Sequence, residues 1–155
     1  MYNILNMGFF TKLFGDKQKQ DSFVSDIYST LTYREKLAAM NLMKVFGGSC
    51  SGTSQELNKI DHIMSVEGRK MGISGLELNA EYNTFSDLKE MVRALRGANR
   101  NALRNLFWPF YCIIAVGKST QAVQLLLGIY NELGFTTQEC ATILEQKTGV
   151  NICGL

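Results

Sequence analysis

The scarcity of helix breakers constrains this chain more than any other feature, since one proline, Pro109, stands in 155 residues. Proline removes a backbone donor and breaks a helix interior, so its near absence leaves long segments free to be helical. The apolar residues are rich in Leu and Met, which favour helix, and the alternating runs and Asn-Gly turns typical of strands are nearly absent. The sequence therefore predicts an all-α fold, with a kink or a helix boundary after Phe107.

Helix starts recur along the chain as Ser or Thr followed three residues later by Glu, the pattern of a capping box. Four such pairs are present: Thr32 and Glu35, Thr53 and Glu56, Ser74 and Glu77, and Thr136 and Glu139. Ser86 and Ser119 precede two further apolar periodic segments. Glycines follow these segments and predict where the helices stop: Gly47, Gly48, Gly72, Gly97, Gly134 and Gly149.

This spacing predicts about seven helices in a single domain over residues 21–149, with a leader over residues 1–20 and a tail over residues 150–155. In the leader, apolar side chains at helical spacing are followed by a polar run. A first helix packed on the core or a frayed terminus is favoured over an interfacial anchor, because two turns are short for membrane binding. We expect a cytoplasmic protein, with peripheral membrane contact through residues 8–14 as the alternative.

Two segments of the chain match each other 62 residues apart, reading Met-Gly-Ile-Ser at 71–74 and Leu-Gly-Phe-Thr at 133–136. Glu77 and Glu139 then fall in register, as do the apolar positions of the preceding helices. One amphipathic hairpin cannot bury its apolar face alone, whereas two similar hairpins can bury their faces against each other. We therefore expect two related helical halves.

This layout resembles the TerB-like family, the all-helical domain found in tellurite-resistance proteins and in some J-domain co-chaperones. The resemblance covers about residues 33–147 and rests on Gly turns and helix caps. The residues that carry it are Phe46-Gly47-Gly48 and Met71-Gly72-Ile73-Ser74-Gly75-Leu76-Glu77 in the first half, and Ala115-Val116-Gly117-Lys118-Ser119 and Leu133-Gly134-Phe135-Thr136-Thr137-Gln138-Glu139 in the second. It implies a two-half helical bundle in a bacterial cell, with a role in stress response.

The chain departs from that family at the acidic turn residues. The Asp of the family falls on Gly47 in the first half and on Val116 in the second. A divalent ion such as Ca²⁺ or Mg²⁺ needs several hard oxygen ligands, which neither residue supplies. Glu56 is better explained as part of a helix cap than as a ligand. We therefore expect no metal site and no cofactor.

Few catalytic arrangements are open to the chain, because it holds a single histidine, His62, and four cysteines without a CxxC pair. His62 has no Cys or His at ligand spacing and is expected to be structural or exposed. Cys50 precedes a predicted helix start, where a reactive thiol is the alternative to a plain flexible turn. The sparse cysteines favour a reducing compartment. An aromatic cluster (Phe107, Trp108, Phe110 and Tyr111) is expected in the core, with a partner groove as the alternative.

The strongest surface signal is a run of five basic residues at helical spacing: Lys89, Arg93, Arg96, Arg100 and Arg104. They would share one face if a single helix ran through Gly97, and would form two neighbouring patches if it broke there. Such a stripe could bind phosphates, acidic lipid or an acidic partner. The competing interpretation is a solvated helix face compensated by Asp87 and Glu90.

These observations favour a non-enzymatic helical interaction module whose partner is another protein. The alternative is a binder of an anionic ligand, either nucleic acid or acidic lipid, through the five basic residues. An enzyme is the least favoured class, because no nucleophile–base pair is evident. The net charge of +2 gives no general bias toward nucleic acid or membranes.

Overall fold

A computed structural model describes residues 27–48, 52–74 and 85–149 of the chain. Those residues form six helices and contain no strand, which confirms the all-α prediction. The helices are α1 (Tyr33–Gly48), α2 (Ser54–Met71), α3 (Leu88–Leu95), α4 (Arg100–Gly117), α5 (Thr120–Glu132) and α6 (Thr137–Thr148). The predicted leader and tail lie outside the described residues, and a seventh helix stays a prediction.

Reciprocal caps begin three of these helices, as the sequence predicts. At α2 the Thr53 backbone N–H donates to Glu56 Oε1 at 2.9 Å, and the Glu56 N–H donates to Thr53 Oγ1 at 3.2 Å. The same pair of bonds joins Thr32 to Glu35 before α1 and Thr136 to Glu139 before α6. Each cap satisfies donors that a helix start leaves without an intrahelical partner. The predicted box at Ser74 and Glu77 extends beyond the described residues.

Helix α3 begins one residue later than predicted, because Asp87 rather than Ser86 is its N-cap. Asp87 Oδ1 accepts from the Glu90 N–H at 2.9 Å. Ser86 instead donates to Glu90 Oε2 from its backbone N–H at 2.8 Å and from its hydroxyl at 2.6 Å. The cap residue and the residue before it therefore both hold the first turn of α3.

Helix α4 runs through Pro109 without a break, so the predicted boundary after Phe107 is wrong. Proline cannot donate to the carbonyl four residues earlier, and this loss normally disfavours a helix interior. Here the residues around Pro109 are the core: Phe107, Trp108 and Phe110 are buried and Tyr111 packs against them. Apolar burial on both sides offsets the missing hydrogen bond. The prediction of a core aromatic cluster is confirmed.

Helix α4 is the centre of the bundle, since it packs against α1, α2, α5 and α6. The Phe46 ring of α1 meets the Phe110 ring edge to face, with centroids 5.4 Å apart. The Tyr130 ring of α5 meets Phe107 at 4.9 Å, and its hydroxyl donates to the Leu103 carbonyl at 2.5 Å. Helix α3 packs against α1, and Lys89 and Arg93 on it are exposed.

Candidate binding surface on helices α3 and α4

The sequence of α3 divides the helix into an apolar and a basic side. Met91, Val92 and Leu95 are buried and face α1. Because residues three and four apart share a helix face, Lys89 and Arg93 are then turned to solvent, where both are exposed. The burial of three apolar residues thus fixes where the two cations point.

The five predicted basic residues do not lie on one helix. Helix α3 ends at Leu95, Arg96 is its C-cap, and Asn99 caps the start of α4. Arg100 and Arg104 therefore belong to a second helix, and the turn around Gly97 separates them from Lys89 and Arg93. The structure therefore has the second of the two predicted arrangements, in which the helix ends near Gly97 and the basic residues lie on two helices.

The Arg100 side chain contacts the turn between α5 and α6. Its guanidinium donates to Glu139 Oε2 at 2.6 Å and to the Gly134 carbonyl at 3.1 Å. The same group lies over the Phe135 ring, 4.0 Å from the centroid. A planar donor fork that is bonded on its edge and stacked on its face is held in one place. Arg100 is therefore a structural residue.

Arg96 makes a weaker contact with the same turn. Its guanidinium lies 3.7 Å from Glu132 Oε2, and both side chains are 60% exposed. Such exposed pairs contribute little to stability because water screens them. This pair therefore holds Arg96 only weakly.

Three cations remain without an ion-pair partner among the described residues: Lys89, Arg93 and Arg104. We call these three residues the basic surface. The two acids predicted to compensate them, Asp87 and Glu90, are occupied elsewhere. Asp87 caps α3, and Glu90 accepts from Ser86 and lies 3.2 Å from Arg34. The hydrogen bonds from Ser86, reinforced by Arg34, hold the pKa of the Glu90 carboxyl below its usual 4.5.

The other predicted sites give no reactive group in the described ranges. Burial raises the pKa of the Cys112 thiol well above 9.0 and that of the Cys140 thiol to about 11, so both are protonated at neutral pH. His62 is exposed on α2. Glu56 is the cap residue predicted, and its bonds with Thr53 lower its pKa. Cys50 lies outside the described residues.

Val116, which stands where the resembled family has Asp, is buried and has no carboxylate. Within residues 27–48, 52–74 and 85–149, no group of three or more His, Cys, Asp or Glu side chains is placed to hold a metal ion. In the same ranges, no helix has the length and apolar character needed to cross a membrane.

Two buried polar side chains, Asn41 and Glu67, were missed from the sequence. Glu67 is only 4% exposed, accepts from the Tyr28 hydroxyl at 2.6 Å and pairs with Lys70 at 2.9 Å. It stands on the predicted apolar face of α2, four residues after Ile63 and four before Met71. This position could have predicted a buried acid, since a Glu on the core-facing side of a helix needs a buried partner.

No family profile, curated protein or solved structure matches the chain.

Proposed function

We propose that this protein is a non-enzymatic helical interaction module that binds an acidic segment of another protein through the basic surface. The observation that carries the proposal is that Lys89, Arg93 and Arg104 are exposed and have no acid within ion-pair distance among the described residues. An acidic partner would supply the missing counter-charges and would be steered to this face.

The character of the surface favours a protein partner over nucleic acid. Aromatic side chains, on which unpaired bases stack, do not alternate with the three cations in the sequence. The sequence pI of about 8.3 is lower than is typical of nucleic-acid-binding domains.

The resemblance to the TerB-like family extends the proposal to a cytoplasmic bacterial protein with a part in stress response. The support is that the two Gly turns predicted 62 residues apart adopt the same backbone form, with Gly72 and Gly134 both at positive φ.

The test is binding of a labelled oligoglutamate peptide, measured by fluorescence anisotropy. Reversing two charges with Lys89→Glu and Arg93→Glu is expected to weaken binding by about tenfold. The matched control reverses Arg69 and Lys147, which are also exposed but lie on α2 and α6. Arg96 and Arg100 are left unchanged, because their ion pairs would mix binding with stability.

Equal loss of binding in the test and control variants would show an unspecific charge effect and overturn the proposal. Two further probes separate the ligand classes: a DNA duplex and vesicles containing phosphatidylserine. Tighter binding of either probe, lost with Lys89→Glu and Arg93→Glu, would overturn the acidic protein partner and assign an anionic ligand instead. Unchanged melting temperatures establish that the variants are folded.

A further inference from the structure

Glu90 does not pair with Arg93, although the two residues are neighbours on α3. Arg93 follows Glu90 by three positions, a spacing at which an acid and a base on one helix form a pair. Instead, Arg34 of α1 donates to Glu90 Oε1 at 3.2 Å. Ser86 donates to Oε2 from its hydroxyl at 2.6 Å and from its backbone N–H at 2.8 Å. Both carboxylate oxygens therefore have partners other than Arg93.

Arg34 is itself held in place beside Glu90. Its guanidinium lies over the ring of Phe85, 4.6 Å from the centroid, and that ring is buried. A guanidinium that is stacked on its face and bonded on its edge has little freedom to move. Arg34 therefore presents a fixed positive charge to the carboxylate. The lowered pKa of Glu90 has the same origin, first in the hydrogen bonds from Ser86 and then in Arg34.

The start of α6 has the same arrangement but no cation that depends on it. There Arg100 lies over the Phe135 ring and donates to Glu139. Three positions after Glu139 stands Thr142, which has no charge, whereas the corresponding position of α3 is Arg93. Of these two helix starts, only that of α3 combines a held acid with a cation that the acid could otherwise neutralise.

We propose that Arg34 and Ser86 are positioning residues for the basic surface, because they hold the Glu90 carboxylate and so leave Arg93 available to the acidic partner. This inference rests on the proposed function. Without the two residues, the carboxylate turns to Arg93 and competes with the carboxylates of the partner for one guanidinium. The packing of α3 on α1 thereby sets the charge that the surface offers.

The test places Glu90→Gln in two backgrounds, the unaltered chain and the variant with both Arg34→Gln and Ser86→Ala. Oligoglutamate binding is measured by fluorescence anisotropy. The double variant is expected to bind about fivefold more weakly than the unaltered chain. Adding Glu90→Gln should restore most of this loss, yet the same change in the unaltered chain should alter the Kd by less than about twofold. An equal gain from Glu90→Gln in both backgrounds overturns the proposal.

Three controls separate positioning from the loss of a nearby charge. Glu56→Gln removes an acid from the cap of α2, and its small effect should be the same in both backgrounds. Ser86→Ala alone changes no charge but should weaken binding. Arg34→Lys keeps the charge and should bind as the unaltered chain does. Loss of binding in Arg34→Lys that Glu90→Gln does not restore would show that Arg34 contacts the peptide itself, and would overturn a role through Glu90.

A measurement without peptide distinguishes failure of this inference from failure of the proposed function. The side-chain Nε–H resonance of Arg93 is followed by NMR, at a temperature where thermal unfolding shows every variant to be folded. Glu90→Gln should shift this resonance in the double variant and not in the unaltered chain. If it does so while oligoglutamate fails to bind, the proposed function is wrong and the control of Arg93 by Arg34 and Ser86 stands. A shift in both backgrounds, or in neither, overturns that control.

Discussion

The turns that end α2 and α5 have the same backbone but differ in the polar side chains beside them. In the first, the Ile73 N–H donates to the Gly68 carbonyl at 2.8 Å, and in the second the Phe135 N–H donates to the Tyr130 carbonyl at 2.9 Å. Each turn places glycine in the left-handed region, with φ of +73° at Gly72 and +94° at Gly134. This is the Schellman arrangement, in which glycine has no Cβ penalty.

The polar cluster in the last turn of α2, next to the first turn, lies inside the protein. Glu67 and Lys70 form a pair with both side chains almost buried, and the Tyr28 hydroxyl completes it. Burial, together with the nearby Glu67, raises the pKa of Tyr28 well above 10.0, so its hydroxyl stays a donor. The position 62 residues after Glu67 is Ile129, which is buried and apolar.

The polar support of the second turn lies on the surface. Arg100 reaches the turn from α4 and binds both the Gly134 carbonyl and Glu139. This difference shows that the same backbone turn does not determine which polar side chains lie beside it. An interior ion pair makes stability depend on matching every buried charge, whereas a surface guanidinium leaves water as a substitute.

The largest effect is expected from making the first turn resemble the second by Glu67→Ile. This change leaves Lys70 and the Tyr28 hydroxyl without their buried partner, and removal of one member of such a pair costs about 3 kcal/mol. Urea denaturation measures the free energy of unfolding. The exposed Asp61→Ile on the same helix is the control, with an expected change within about 0.5 kcal/mol.

Adding Tyr28→Phe to Glu67→Ile sharpens this test. If the pair acts as a unit, the double variant should lose less stability than the two single variants together, because the unpaired hydroxyl is gone. A loss below about 1 kcal/mol for Glu67→Ile alone would show that the interior support contributes no more than a surface pair.

A smaller loss of stability is expected when Gly72 or Gly134, the glycines of the two turns, is replaced by alanine. The left-handed conformation costs a residue with a Cβ about 1–2 kcal/mol. Gly134 lies further from the usual left-handed range than Gly72, so Gly134→Ala should be the more destabilising of the two. Thermal unfolding of both variants gives the comparison.

Gly128→Ala is the internal control for these glycine variants, because Gly128 has neither a positive φ nor a neighbour within 4 Å of the added Cβ. It should stabilise the dilute protein by about 1 kcal/mol. Destabilisation by all three variants would indicate that glycine is required for packing, and the argument from the left-handed turns would fail.

The helix ends were predictable because they depend on neighbours in sequence. Thr53 with Glu56, and Gly72 after Met71, specify a start and a stop through bonds that span five residues or fewer. The continuity of α4 through Pro109 was not predictable in this way. It depends on burial against four other helices, which no local pattern contains.

The sequence predicted which basic residues lie on the surface, but not which of them form contacts with distant residues. Spacing identified the cations of α3, since helix periodicity and three buried apolar residues determine the outer face. The hydrogen bond from Arg100 to the Gly134 carbonyl joins residues 34 positions apart in sequence, and the Tyr28–Glu67 hydrogen bond joins residues 39 positions apart. Such contacts follow from the packing of helices, so sequence spacing alone could not separate Arg100 from Arg93.

The smallest effect is expected from lowering the pH. It distinguishes Glu139, beside the turn between α5 and α6, from Glu56 in the cap of α2. Glu139 has a pKa below its ordinary 4.5, first because of its bond with Thr136 and then because of Arg100. The pKa of Glu56 is lowered by Thr53 alone among its hydrogen-bond partners. A carboxyl whose folded pKa is lowered stabilises the fold above the unfolded pKa, and this contribution is lost as pH falls through the folded pKa.

Replacing Arg100 with Met should therefore raise the pKa of Glu139 and leave that of Glu56 unchanged. Carboxyl chemical shifts followed by NMR between about pH 6 and pH 2 measure both values in one sample. In the unfolding curves, the stability difference between the chain and Glu139→Gln should shrink as the pH falls below 4.5. Equal shifts of the two pKa values in Arg100→Met would mean that Arg100 acts on the whole bundle, and the distinction between an interior and a surface support would not hold.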